Sequence, residues 1–432
     1  MPEFVRSPLG QLLAERGYIR GPFGSALVRR DLKQSGVPVY EQQHAITRSR
    51  TFRFFVDEEK CKELRRFTVR PNDLIISCSG TVGRVSMIRE GDPHGIISQA
   101  LLILRPDPTK IEPHFLRYFL ESREGAHELV MASHGTVQVN IAPRDVVERI
   151  PVPVPELDEQ RAIAHILGTL DDKIELNRQM NETLEAIARA IFKSWFVDFD
   201  PVRAKASGEA PESICRRLGL THDLLALFPH RLGDSELGKI PEGWEVGSVD
   251  DEFEVTMGQS PPGDTYNETG SGLPFYQGRT DFGFRFPKRR VYCTAPTRLA
   301  KAGDTLVSVR APVGDLNMAA EDCAIGRGVA AVRHKTGSRS YSYQFMHSIE
   351  NVFARFEAEG TVFGSIGKKD FKAIACVKPP RRLVLAYEAC ISALDDRVEV
   401  NERESHTLAA FRDTLLPKLI LGELRVPPEG AA

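Results

Sequence analysis

The sequence predicts an α+β fold in which two strand-rich globular domains are separated by a long antiparallel two-helix coiled coil, the whole forming an internal pseudo-two-fold repeat. Three observations predict it. The octapeptide LDDKIELN at residues 170–177 recurs as LDDRVEVN at residues 394–401, 224 positions later. Further matches keep their order along the chain: residues 36–41 (GVPVYE) with 272–277 (GLPFYQ), 72–77 (NDLIIS) with 303–308 (GDTLVS), 135–137 (GTV) with 360–362 (GTV), and 141–145 (IAPRD) with 366–370 (IGKKD). Within each copy, short apolar runs broken by turn residues give way to a long stretch whose apolar residues lie three and four apart.

Taken in order, residues 1–155 form the first domain, where apolar runs such as 74–76 and 101–104 are separated by Gly, Pro, Asn and Asp. Residues 156–197 form the first long helix, with apolar positions at Ile163, Ile166, Leu170, Ile174, Leu184, Ile187 and Ile191. A central linker, 198–240, leads to the second domain, 241–380. The second long helix, 381–421, repeats the spacing with Cys390, Ile391, Leu394, Val398, Leu408, Phe411, Leu415 and Leu419, and a tail, 422–432, follows. Such periodicity over about 35 residues marks a helix with one apolar stripe, and two such stripes in one chain can bury each other. Asn177 and Asn401 fall on or beside the stripe. There they either specify register within the seam or sit solvated at its edge.

Bulk properties bound the rest. The chain has 432 residues, 41% hydrophobic and 27% charged, enough for two cores, and a net charge of −2 confines any nucleic-acid surface to local patches. Seven scattered cysteines, an odd number without a CxxC pair, argue against a disulfide framework and a zinc site. No stretch approaches the roughly 20 apolar residues of a membrane span and no secretory signal is visible, so a cytoplasmic location is expected.

The arrangement resembles the specificity (S) subunit of type I restriction-modification systems. The residues that carry the resemblance are the repeated octapeptide, AIFKSWFVDFDPVRAK at 190–205, GKIPEGW at 238–244 and LLPKLILGEL at 415–424, and it covers nearly the whole chain. The resemblance implies a non-catalytic, DNA-binding subunit with two target-recognition domains. Each reads half of a split double-stranded DNA site, and the helices act as spacer and as docking surface for two modification subunits and, through them, restriction subunits. S-adenosylmethionine, ATP and Mg would belong to those partners, and no cofactor to this chain. Geometry points the same way: two readers on a stiff helix pair skip the DNA between them, and divergent copies make the target asymmetric.

Charge is distributed accordingly. Residues 270–372 hold 16 Lys/Arg against 9 Asp/Glu, whereas residues 156–189 hold 4 against 8. The clusters Arg48, Arg50, Arg53 and Lys288, Arg289, Arg290 are candidates for phosphate contacts, with plain surface solvation as the alternative. Polar residues beside turn glycines are the candidates for base reading. The first copy offers Ser79, Thr81, Arg84, Ser98, Gln99, Thr136 and Gln138; the second offers Gln277, Arg279, Arg310, Arg327, Thr361, Phe363, Ser365 and Lys368. Aligned positions differ, Ser79 facing Arg310, Gln99 facing Arg327 and Gln138 facing Phe363, as two unlike half-sites require. For partner docking the candidates are Asp171, Lys173, Asp395 and Arg397 on the helices and the apolar cluster Trp195, Phe196 and Phe199. Residues 195–199 also read as a linker packing back on the helices.

Enzyme motifs are weak. GTVFGSIGKK at 360–369 departs from GxxxxGK[ST] at two positions, and GRGVAA at 326–331 leads into a strand-like stretch rather than a helix. No Asn/Asp-Pro-Pro methyltransferase motif and no metal-ligand spacing of histidines is found. The competing classes are a solitary DNA methyltransferase or nuclease and a two-headed protein-binding adaptor.

Overall fold

The computed structural model describes residues 4–131, 141–358 and 364–426. The chain divides into two compact units, one holding Met1–Leu176 with Glu404–Ala432 and the other Asn177–Arg403. The division falls within the long helices, so each unit contains one strand-rich domain together with one stretch of each helix.

In the first unit, an antiparallel sheet runs in the order Leu13–Arg20, Leu101–Pro106, Leu74–Ser77, Val85–Met87, beside a mixed sheet of Phe55–Val56, Val37–Tyr40 and Ile96–Ile97. The run 74–76 is apolar on both faces because both are covered. Leu74 and Ile76 pack with Phe115, Phe119 and Leu167, while Ile75, on the opposite face of the pleat, packs with Tyr40, Ile97 and Ile103. The second unit repeats the plan. Its antiparallel sheet runs Phe253–Met257, Val329–His334, Thr305–Val309, Val313–Met318, and Leu273–Tyr276 again lies parallel to Cys323–Ile325 in a second, five-stranded sheet.

The duplication extends to single interactions. Buried Asp73 takes a bidentate pair from Arg105, with Nε at 2.7 Å and Nη2 at 2.8 Å; its counterpart Asp304 takes Arg333 Nε at 2.6 Å. Gly83 and Gly314 hold φ of 81° and 96° at the same turn, a left-handed conformation that glycine adopts without a steric penalty.

The long helices are Leu157–Phe196 and Arg381–Ile420, 40 residues each. In the first unit, Ile163, Ala164 and Leu167 share a core with Leu419 and Ile420. In the second, the stripe turns polar. Asn177 and Asn401 are fully buried: Asn177 Nδ2 donates to the Asn401 carbonyl at 3.4 Å, Asn401 Nδ2 to Asn181 Oδ1 at 2.8 Å, and Asn181 Nδ2 to Glu402 Oε1 at 3.1 Å. The asparagines thus lie in the seam, and equivalent residues of the two repeats meet, which fixes the antiparallel register there. Three expected stripe residues, Ile187, Cys390 and Phe411, are exposed. On the first helix the buried row runs through Asn177, Asn181, Glu185, Ala188 and Phe192 instead of Ile187.

The linker is also structured. Helices Asp200–Ala206, Pro211–Leu218 and His222–Ala226 and the hairpin Leu232–Ser235/Gly238–Pro241 pack Val202, Ile214, Leu225 and Ile240 into the core of the second unit. Among the described residues no helix is long and apolar enough to cross a membrane, and all seven cysteines are free.

Candidate nucleic-acid interface

Each domain builds its polar tip in the same way. Where the central strand ends, the Ser77 hydroxyl donates to the Thr81 carbonyl at 2.5 Å and accepts from Arg84 N at 2.9 Å. In the other copy Ser308 donates to the Pro312 carbonyl at 2.8 Å and accepts from Asp315 N at 2.8 Å. One residue further, Cys78 N donates to the Ala100 carbonyl and Val309 N to the Gly328 carbonyl, each at 2.9 Å. These bonds clamp the strand end to a tight turn, 98–101 in the first unit and 326–329 in the second, closed by Leu101 N to Ser98 O at 3.2 Å and Val329 N to Gly326 O at 2.9 Å. Ser79 and Gln99 are thereby brought to one tip, and Arg310 and Arg327 to the other.

In the second unit the tip is concave. Gln277, Arg279, Arg310 and Arg327 line one cleft of about 780 Å³ together with Ser260, Tyr266 and Thr280. Ser365 reaches it through a backbone bridge to Arg310. In the first unit, Gln42 Nε2 donates to the Ser79 carbonyl at 2.6 Å, and Thr81, Arg84 and Gln99 are exposed. Thr136, Gln138, Thr361 and Phe363 lie outside the described residues. Sequence reading missed Gln42, Ser260, Tyr266 and Thr280. The signal for Gln42 was its place directly after the repeated segment 36–41; Ser260 and Tyr266 lie outside any repeated segment.

Most members of the basic clusters pair with carboxylates. Arg48 pairs with Glu121 at 2.9 Å, Arg53 with Glu41 at 2.7 Å, Arg279 with Asp315 at 2.7 Å, Arg289 with Glu321 at 2.6 Å and Arg290 with Asp281 at 2.9 Å. Arg50 is a structural residue: it pairs with Asp92 at 2.7 Å and donates to the Met87 carbonyl at 2.7 Å. Among the described residues Arg84, Lys288, Arg310, Arg327 and Lys368 are exposed and in no ion pair. Burial pushes the thiols of Cys78, Cys323 and Cys376 up to about 12, the opposite of what a nucleophilic thiolate requires.

Residues 31–186 match the family model described as the type I restriction modification DNA specificity domain. A Methanocaldococcus jannaschii protein provisionally named the type I restriction enzyme MjaX specificity subunit is 29% identical over 380 residues, covering 86% of this chain and 83% of that one. The HindI specificity subunit of Haemophilus influenzae is 25% identical over 399 residues, covering 79% and 84%. The crystal structure of the type I restriction-modification S subunit from M. genitalium superposes with a TM-score of 0.60 at 16% identity, covering 96% of each chain, which supports the fold. Residues 31–186 thus carry a type I restriction modification DNA specificity domain, and the relatives that match most of the chain are specificity subunits.

Several helix residues expected to dock partner subunits instead make internal contacts. Asp171 accepts from Arg117 Nη2 at 2.8 Å, Tyr118 OH at 2.9 Å and Arg412 Nη1 at 2.8 Å. Burial opposes its ionisation, but the Arg412, Arg117 and Tyr118 donors outweigh burial and hold the carboxyl below its usual range. Asp395, its repeat counterpart, is buried and accepts from Arg285 and from Ser340 Oγ at 2.6 Å. Lys173 pairs with Glu404 at 3.1 Å. Trp195, Phe196 and Phe199 are buried against Phe228, Trp244 and Tyr387, so they form core rather than a docking surface. Of the expected docking set, Arg397 is exposed and in no ion pair among the described residues.

Proposed function

We propose that this chain reads an asymmetric, bipartite double-stranded DNA site, one half-site per strand-rich domain, and docks two modification subunits, with restriction subunits joining through them. The observation that carries this reading is the pair of equivalent tips. A shared framework of backbone bonds presents Ser79 and Gln99 in one domain and Arg310 and Arg327 in the other, so the same scaffold meets two different sequences. The long helices set the gap between half-sites. Docking falls to exposed positions on them, Arg397 and the repeat-equivalent pair Leu176 and Val400. S-adenosylmethionine, ATP and Mg are held by the partners, and the complex acts in the cytoplasm.

Exchanging residues 1 to about 150 for the matching region of another such subunit, then mapping methylation in the host, is expected to change one half-site and leave the other intact. A change in both would defeat the assignment of one domain to each. Methylation, nucleolysis or ATP hydrolysis by the purified chain alone would do the same for the non-catalytic role. Because Asn177 meets Asn401, the gap is tested by lengthening both helices by four residues at those positions. That adds about 6 Å, and the gap is expected to grow by about two base pairs at ~3.4 Å each.

A further inference from the structure

The two arginines in the cleft of the second domain differ from the other arginines around them. Arg279, Arg289, Arg290, Arg333 and Arg339 each pair with a carboxylate. Arg310 and Arg327 pair with none among the described residues, yet their backbones are fixed. Val309 N donates to the Gly328 carbonyl at 2.9 Å and Gly326 N to the Tyr276 carbonyl at 2.8 Å. A Cβ on Gly328 would sit 2.3 Å from the Gln277 carbonyl, so glycine is what lets the two loops close on each other. The roots of both side chains are therefore rigid and adjacent, while the guanidinium donors face open space beside the neutral groups of Ser260, Gln277 and Thr280.

A planar fork of donors with no internal acceptor seeks two neighbouring acceptors in one plane. On a base edge in the major groove, guanine alone offers that pair, O6 with N7. Resting on the reading that this domain binds duplex DNA, we infer that its half-site contains guanine at two positions, one contacted by Arg310 and one by Arg327. Neighbouring strands lie about 4.8 Å apart and stacked base pairs about 3.4 Å. The two guanines are therefore adjacent or one base pair apart, on either strand. The first domain carries Ser79 and Gln99 at these places and makes no such demand.

The experiment is selection from a randomised duplex DNA library by the full chain in complex with its modification subunits. The wild type, R310S and R327Q are compared; each variant transplants the residue of the first copy. Both positions are exposed, and an unchanged thermal unfolding midpoint confirms the fold. The wild type should select two guanines in the half-site that changes when residues 241–380 are exchanged. R310S should relax one guanine to near-equal base use, a loss of roughly 5- to 150-fold discrimination, and R327Q should move the other toward adenine. The half-site of the first domain should stay as it was in both. Weakened binding to every sequence with an unchanged motif would make the arginines phosphate contacts and overturn the inference. So would a wild-type motif without guanine in that half-site, although the bipartite reading would survive. A wild type that selects no motif would defeat that reading itself.

Discussion

The two units spend the same residues on holding themselves together and different residues at their tips. Asp73 with Arg105 and Asp304 with Arg333, Ser77 and Ser308, Gly83 and Gly314 are matched one for one in residue type and place. At the tips, Ser79 and Gln99 stand against Arg310 and Arg327. The repeated octapeptide belongs to the first class. Its second residue, Asp171 in one copy and Asp395 in the other, fastens the helix to the domain of its own unit. The fastenings differ in depth. Arg285, the partner of Asp395, is fully buried with its guanidinium 3.7 Å from the Tyr343 ring centre, whereas Asp171 is shared between Arg117, buried with its guanidinium 4.1 Å from the Tyr118 ring centre, and Arg412, partly open to water. Repetition has conserved the anchoring acid while leaving each domain to supply its own base.

That difference in depth can be broken experimentally. Asp395→Ala leaves the buried Arg285 with Glu185, 3.2 Å away, as its carboxylate partner and is expected to cost about 3–5 kcal/mol in the second unit, read by urea unfolding. Asp171→Ala leaves Arg412 able to reach water and the buried Arg117 within 4.0 Å of Glu121, so about 1–3 kcal/mol in the first unit is expected, and equal losses would erase the distinction. Next comes the seam: Asn401→Ala removes the bond to Asn181 and is expected to cost about 1–2 kcal/mol, with antiparallel pairing retained by the flanking apolar residues. The smallest effect is the pH response. The folded carboxyl of Asp171 is held below its usual value of 3.8, so its contribution is present above that value and fades as pH falls through the lowered one. Glu185 of the second unit is raised above 4.5, first by burial, so its ionisation costs stability at neutral pH and is relieved on acidification. The deficit of Asp171→Asn relative to wild type should therefore shrink below pH 3.8, while any advantage of Glu185→Gln should shrink as pH falls through the raised value. Parallel trends would contradict the contrast.

The duplicated plan, the strand-rich domains and the long helices were legible because each leaves a local signal: ordered matches, short apolar runs between turn residues, and a 3-and-4 spacing. The tips were legible in part, since strand-end residues beside repeated anchors could be aligned by eye. What could not be read was which charges are already spent. Asp171 looks solvated in the octapeptide because its partners Arg117 and Arg412 lie 54 and 241 positions away. Arg53 looks free because Glu41 folds back onto it from twelve residues upstream. Trp195, Phe196 and Phe199 look like a sticky patch until Trp244 and Tyr387 arrive from distant segments. Ion pairs and aromatic cores assembled over such separations carry no periodicity.

The anchoring of the Arg310 and Arg327 loops by main-chain bonds and the Ser308 and Ser260 hydroxyls has a consequence for how such a protein changes over time. Residues that recognise a target often also help fold the domain, and then each new specificity must be bought with stability. Here the framework is held by main-chain atoms and by side chains other than these two arginines, which enter no ion pair among the described residues. If the tips read DNA as proposed, substitutions there are filtered by the DNA they meet rather than by the fold, so a lineage can explore new targets through single exposed codons while its scaffold stays unchanged.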